Sequence, residues 1–154
     1  PEAEKRRRVR KLWNDVNCYT EKGTNEIKSI FGSKIFDTPK PLEYIKKIID
    51  VSSDSNAVIL DFFAGSGTTA QAVADLNNTD KGTRRCLLME LDCVIPPDHI
   101  AQESGFKLIS DITEERLRII KSERDSFKVK VVRSSADMPL QMLTDISDNI
   151  YSVS

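Results

Sequence analysis

Asp61-Phe62-Phe63-Ala64-Gly65-Ser66-Gly67-Thr68-Thr69 follows directly on the apolar run Ala57-Val58-Ile59-Leu60. An apolar run, an acid, a Gly-x-Gly turn and a pair of threonines read as a buried strand that ends, turns sharply and opens a helix. Open α/β sheets bind their ligands at the carboxyl ends of strands, where such a turn lies. Gly65 and Gly67 reach positive φ and carry no Cβ, so a ligand can approach the backbone closely. The amides of Ser66, Gly67 and Thr68 fall at the start of the expected helix, where they face a carboxylate or phosphate. Asp61 supplies an acceptor for an ammonium or hydroxyl. A ligand that carries both an amine and a carboxylate, as an amino acid does, satisfies both ends of this arrangement.

Three cofactor chemistries compete for the turn. A nucleoside triphosphate loop needs Gly-x-x-x-x-Gly-Lys-Ser/Thr, and no lysine stands there. A dinucleotide fingerprint fits Gly65-Ser66-Gly67-Thr68-Thr69-Ala70, with Glu90 placed downstream as a ribose ligand. S-adenosylmethionine fits the same glycines and the same Glu90, and it also accounts for Asp61 and Phe63. A purely structural strand-to-helix turn uses the same residues with no ligand at all. Gly-x-Gly alone discriminates poorly, whereas Asp-x-Phe-x-Gly-x-Gly-Thr is far more specific.

Working outward, residues 58–62 read as a strand, 68–76 as a helix with Ala70, Val73, Ala74 and Leu76 inward, 77–82 as a turn, and 86–91 as a second apolar strand. This is a βαβ unit, for which a right-handed crossover is expected. Upstream, Pro39 and Pro41 break the chain, and a helix starts near Pro41 with Leu42, Ile45, Ile48 and Ile49 at helical spacing. Residues 14–34 carry Asn, Gly and Ser punctuation and read as mostly irregular. Residues 2–13 read as a charged helix. Downstream, 92–106 reads as a loop, Asp111 as the cap of a helix over 112–124 with Ile112, Leu117, Ile119 and Ile120 apolar, and Phe127, Val129 and Val131 as alternate positions of a half-exposed strand.

A chain of 154 residues suits one domain with a real core. Lys+Arg 23 against Asp+Glu 24 leave a net charge of −1, which excludes a global bias toward nucleic acid. Lys5, Arg6, Arg7, Arg8, Arg10 and Lys11 nevertheless cluster, as either a solvated helix or a contact to phosphate backbone. Cys18, Cys86 and Cys93 lack metal-ligand spacing and His99 stands alone, so a reduced cytosolic protein without structural zinc is the simplest reading. The sequence contains no transmembrane run and no signal peptide, and it opens on Pro1, which reads as a processed or excised piece.

Together, Phe36-Asp37-Thr38-Pro39-Lys40-Pro41-Leu42 and the stretch from Asp61 to Thr69 resemble the carboxyl-terminal part of the beta-class adenine-specific DNA methyltransferases, closest to the modification subunit of type III restriction-modification systems. Arg84-Arg85-Cys86-Leu87-Leu88-Met89-Glu90-Leu91 and Asp111-Ile112-Thr113-Glu114-Glu115-Arg116-Leu117-Arg118 extend the resemblance, which runs from about Leu12 to Ser135. It implies a partial Rossmann-like S-adenosylmethionine-dependent methyltransferase fold: α/β, three layers, a mostly parallel sheet. It implies that Asp61, Phe63, Ala64, Gly65, Ser66, Gly67 and Thr68 hold the methionine end of S-adenosylmethionine and that Glu90 takes the ribose hydroxyls. Phe36, Thr38 and Lys40 would lie beside the same pocket. Other readings remain for these residues: a core position for Phe36, a helix start for Pro39 and Pro41, a solvated Lys40, and a Glu90 paired to Arg84 or Arg85.

The sequence departs from the family in one respect. The family's Asp/Asn/Ser-Pro-Pro-aromatic motif is absent, and Ile95-Pro96-Pro97-Asp98 lacks both the polar residue before and the aromatic after. In the beta class that motif and the target-recognition region precede the glycine turn. The expected organisation is therefore a basic helix and connector over 1–35, the S-adenosylmethionine-binding part over 36–133, and a tail over 134–154. The resemblance implies transfer of a methyl group to adenine in DNA by the complete enzyme, in the cytoplasm of a prokaryote. The implied partners are DNA, a missing catalytic and target-recognition part, a restriction subunit and a second copy. A non-catalytic binding module and an NAD-dependent oxidoreductase are the alternatives.

Overall fold

Val58-Ile59-Leu60-Asp61 forms strand β1 (Val58–Asp61), and the chain turns out of it at Gly65 and Gly67, whose φ angles are 52° and 77°. Helix α3 (Thr68–Asp80) follows, then strand β2 (Arg85–Leu91). The computed structural model describes residues 15–122 and 129–134. Upstream lie a short 3-10 turn (Val16–Cys18) and helices α1 (Thr20–Phe31) and α2 (Leu42–Ser52). Downstream lie α4 (Ile100–Glu103), α5 (Ile109–Ser122) and strand β3 (Val129–Ser134). The expected helix over 2–13 with its basic cluster, Phe127, and the tail beyond Ser134 lie outside the described residues.

The strands are parallel in the order β1-β2-β3, with Ile59 beside Cys86 and Cys86 beside Val129. The result is an α/β protein with a small parallel sheet and five helices among the described residues. One sheet face, carrying Ile59, Cys86, Leu88, Val129 and Val131, packs with Ala70, Ala72, Val73 and Leu76 of α3, Ile49 of α2 and Leu117 of α5. Small residues on α3 let it sit close to both α2 and β2. On the other face Leu87 and Met89 are buried, while Val58 and Leu60 of β1 are each 45% exposed. A second cluster joins Ile27, Ile35, Ile95, Ala101 and Ile112, with Phe31 edge-on to Phe106. Helix α5 therefore serves both clusters, through Ile112 on one side and Leu117 on the other.

The sequence reading is corrected at several points. Residues 20–31 form a helix, not an irregular segment. Gly23 in its interior is there for contact: a Cβ would stand 2.4 Å from the Pro39 carbonyl oxygen. The punctuation marks close backbone approach rather than a break. Likewise α3 continues through the expected turn as far as Asp80. Asn77 is buried and its side-chain amide both donates to the Arg84 carbonyl and accepts from the Arg84 N–H, so a residue that usually favours turns is satisfied in the helix. Asp111 acts three residues inside its helix, not before it. Its Oδ2 accepts the N–H groups of Leu108 and Lys107, the backward half of a capping box.

Candidate functional site

The turn after β1 is held from several directions. Ala64 N–H donates to the Met89 carbonyl at 3.0 Å, Gly65 N–H to Glu90 Oε2 at 2.5 Å, and Gly67 N–H to the Ala64 carbonyl at 2.8 Å. Asp61 organises its own loop: Oδ1 accepts the Phe63 N–H at 3.0 Å and Oδ2 accepts the Thr69 hydroxyl at 2.5 Å. That leaves the N–H groups of Ser66 and Thr68 without a partner among the described residues. A carboxylate has about four lone-pair positions, so Asp61 keeps capacity for a further donor. Gly67 occupies the left-handed region, and its missing Cβ faces Thr113 and Arg116 of α5 rather than open space.

A cleft of about 390 Å³ opens at this turn. It is lined by Asp61, Phe63, Ala64, Gly65, Ser66, Thr68 and Thr69 on one side and by Phe36, Thr38, Pro39, Lys40 and Ile45 on the other. The second wall is the connector between α1 and α2, with Ile45 of α2, and the two helices hold it in place. Gly23 lets α1 touch the 39–40 backbone, and the Glu26 carboxylate accepts the N–H of Leu42, the first residue of α2, at 3.0 and 3.2 Å. Pro41 offers no side-chain cap, so Glu26 takes that part from the neighbouring helix. Burial pushes the Glu26 carboxyl above its ordinary range, against the Leu42 amide and the Arg116 charge. A smaller cavity of about 180 Å³ adjoins, sharing Phe36 and Thr38 and closed by Ile35, Ile95, Pro96, His99 and Ile109.

Behind the turn stands Arg116, fully buried on α5. Its Nη1 donates to the Ser66 carbonyl and hydroxyl at 3.2 Å each and to the Thr68 hydroxyl at 3.0 Å. Its Nε and Nη2 reach Gln71 Oε1 at 2.9 and 2.7 Å. Burial lowers its pKa to about 10, partly opposed by the charges of Glu26 and Asp75, so it is a cation at neutral pH. Thr113 Oγ1 donates to the Gly65 carbonyl at 2.6 Å.

Of the residues singled out in the sequence, Phe36, Thr38, Lys40, Asp61, Phe63, Ala64, Gly65, Ser66 and Thr68 line the cleft together. Gly67 and Glu90 do not line it. They support the turn, and Glu90 Oε1 has no partner among the described residues. Arg84 pairs with Asp80 at 2.7 Å. The Ile95-Pro96-Pro97-Asp98 stretch is irregular, as expected of a loop. Sequence reasoning missed Thr69, Ile45, Gln71, Thr113 and Arg116 as parts of the site. The available signal was a polar Thr113-x-x-Arg116 pair on an otherwise apolar helix face. Among the described residues no group of His, Cys, Asp and Glu is placed to hold a metal, and no helix is long and apolar enough to cross a membrane.

Residues 2–122 match the DNA methylase family. The chain belongs to that family. This DNA methylase chain is 54% identical over 130 residues to the type II methyltransferase M.KpnI of Klebsiella pneumoniae, covering 84% of the chain and 31% of that protein. It is 45% identical over 105 residues to the StyLTI Mod subunit, a type III restriction-modification enzyme of Salmonella typhimurium, covering 68% and 16%. With the type III EcoPI Mod subunit of Escherichia phage P1 it shares 36% identity over 112 residues, covering 73% and 17%. The resemblance seen in the sequence thus stands, and it takes in a type II methyltransferase besides the type III subunits. The DNA methylase chain spans less than a third of the length of each of these relatives.

Proposed function

We propose that this chain is the S-adenosylmethionine-binding part of an adenine-specific DNA methyltransferase of a restriction-modification system. One observation carries the reading: the amides of Ser66 and Thr68, without a partner among the described residues, share a cleft with the Asp61 carboxylate. Amides receive a carboxylate and a carboxylate receives an ammonium, so the site is complementary to an amino-acid end. The apolar wall of Phe36, Ile45 and Phe63 suits the rest of such a ligand, with Phe63 83% exposed at the rim. Glu90 stands outside the cleft lining; its Oε1, without a partner among the described residues, would accept a ribose hydroxyl from a ligand that extends past Gly65, and Lys40 and Thr38 close the opposite side of the cleft. These residues bind and orient. The group they hold supplies an electrophilic methyl on a sulfonium, and the exocyclic amine of a flipped adenine would take it directly. Membership of the DNA methylase family argues against the NAD-dependent alternative.

The same reading divides the chain into a connector over 1–35, the binding part over 36–133 and a tail over 134–154, with α1 buttressing the binding part. It also makes the sheet part of a larger three-layer, Rossmann-like one. Support comes from the parallel order of β1-β2-β3 and from Val58 and Leu60, half-exposed on β1, whose outer edge pairs with no strand among the described residues. Such edges are ordinarily covered. The polypeptide carrying the catalytic motif and the target-recognition region would lie there, and DNA and a restriction subunit would be met through the complete enzyme.

The test is methyl transfer to DNA from radiolabelled S-adenosylmethionine, by the 154-residue chain alone and by a longer polypeptide carrying an upstream catalytic motif. The chain alone should bind the donor and transfer nothing, and the longer polypeptide should label adenine. Labelling by the chain alone, or of cytosine by the longer one, refutes the respective part of the proposal.

A further inference from the structure

Arg116 is the largest fully buried side chain among the described residues, and its position is costly. Burying a guanidinium forfeits several kcal/mol of hydration, about what a well-packed apolar residue would avoid. Each of its hydrogen bonds goes to a neutral oxygen, of Gln71, Ser66 or Thr68. Three of them go to residues of the ligand turn. Thr113, one helical turn away on the same helix, grips the Gly65 carbonyl. Gly67 lies against both, with an added Cβ at 3.4 Å from Thr113 and 3.7 Å from Arg116. The turn is therefore pressed between the cleft in front and α5 behind.

We propose that Arg116 and Thr113 are positioning residues: they clamp Gly65–Thr68 from behind, holding the Ser66 and Thr68 amides toward the anionic end of the ligand, and Arg116 adds the buried positive charge that this end meets. The inference rests on the reading of the cleft as an S-adenosylmethionine site. Thr113 acts through geometry, whereas Arg116 acts through geometry and charge. The charges of Glu26 and Asp75 offset part of the field of this buried cation, and an incoming carboxylate meets the remainder.

The test compares Arg116→Met, Arg116→Lys, Thr113→Val and the packing control Leu117→Ala in the full chain. Binding of S-adenosylmethionine is measured beside that of 5′-methylthioadenosine, which lacks the amino-acid end. Arg116→Met should weaken the first about tenfold, as loss of a charge-assisted contact does, and the second less than about twofold. Arg116→Lys should recover part of the loss, and Leu117→Ala should leave the ratio of the two affinities unchanged. Equal weakening of both ligands by Arg116→Met makes Arg116 merely structural and overturns the proposal. Amide hydrogen exchange supplies an arm that needs no ligand. Arg116→Met and Thr113→Val should speed exchange at Gly65 and Gly67, whose amides are bonded to Glu90 and to the Ala64 carbonyl, about tenfold relative to β2, whereas Leu117→Ala should not. Uniform acceleration in all variants overturns the clamp. Wild-type chain that binds neither ligand refutes the cofactor reading, and the exchange arm then still decides the clamp.

Discussion

At the scale of single residues, the site depends on groups already committed to one another. Asp61 is aligned by the Thr69 hydroxyl and the Phe63 amide. Thr69→Val should leave the fold intact and weaken S-adenosylmethionine binding about tenfold, since a hydrogen bond to a charged group contributes about 1.5–3 kcal/mol. Calorimetric titration of the variant checks this, and unchanged affinity would show that Asp61 needs no alignment. Gly23→Ala would drive a Cβ to 2.4 Å from the Pro39 oxygen, so α1 or the 39–40 wall must shift. The expected loss is about 1–3 kcal/mol in denaturant unfolding, with weaker ligand binding as the wall moves. Asp80 shows the role of charge. Burial pushes its carboxyl up, but hydrogen bonds from Arg84 and the Gly82 amide more than offset that and hold it below the usual carboxylate range. Its contribution to stability is thus complete above the unfolded pKa and is lost as pH falls through the lowered folded value. Asp80→Asn should cost about 1–2 kcal/mol at pH 7, reduced by the partial exposure of Asp80, and nothing once the pH lies below that folded value. Paired denaturant melts along a pH series measure it.

At the scale of elements, legibility followed how local the cause was. The strand, the turn and the start of α3 were readable because an apolar run, an acid and two glycines act within thirteen residues, Ala57 to Thr69. Helix α1 was not, because Gly23 and Asn25 argue locally against a helix. What permits it is a contact with a segment 16 residues on, Pro39 to Gly23. Similarly Asn77 signalled a turn, and only Arg84 seven residues later reveals why it stays helical. The candidate site divided the same way. The cleft residues of the two motifs were legible except Pro39 and Thr69, while Thr113 and Arg116 lie 48 and 50 residues from the carbonyls they hold. Helix α5 carries both clusters, so Leu117→Ala should lower stability by about 2–5 kcal/mol and loosen the sheet and α3 together. A midpoint shift below about 0.5 kcal/mol would show that α5 is peripheral to the core.

At the scale of the whole molecule, two facts meet. The chain belongs to the DNA methylase family, and among the described residues no strand pairs with the outer edge of β1, which carries two half-exposed apolar side chains. A cleft held by α1, α2, α3 and α5 is already assembled among the same residues. On the proposed reading, donor binding and methyl transfer should separate, the first found with this chain alone and the second only with a longer polypeptide. The measurement that bears most directly on the central claim is a calorimetric titration of the chain with S-adenosylmethionine, run in parallel with NAD. Saturable binding of S-adenosylmethionine at one site, with no heat from NAD, is the expected result. Binding of NAD in its place, or no binding of S-adenosylmethionine at all, would contradict it.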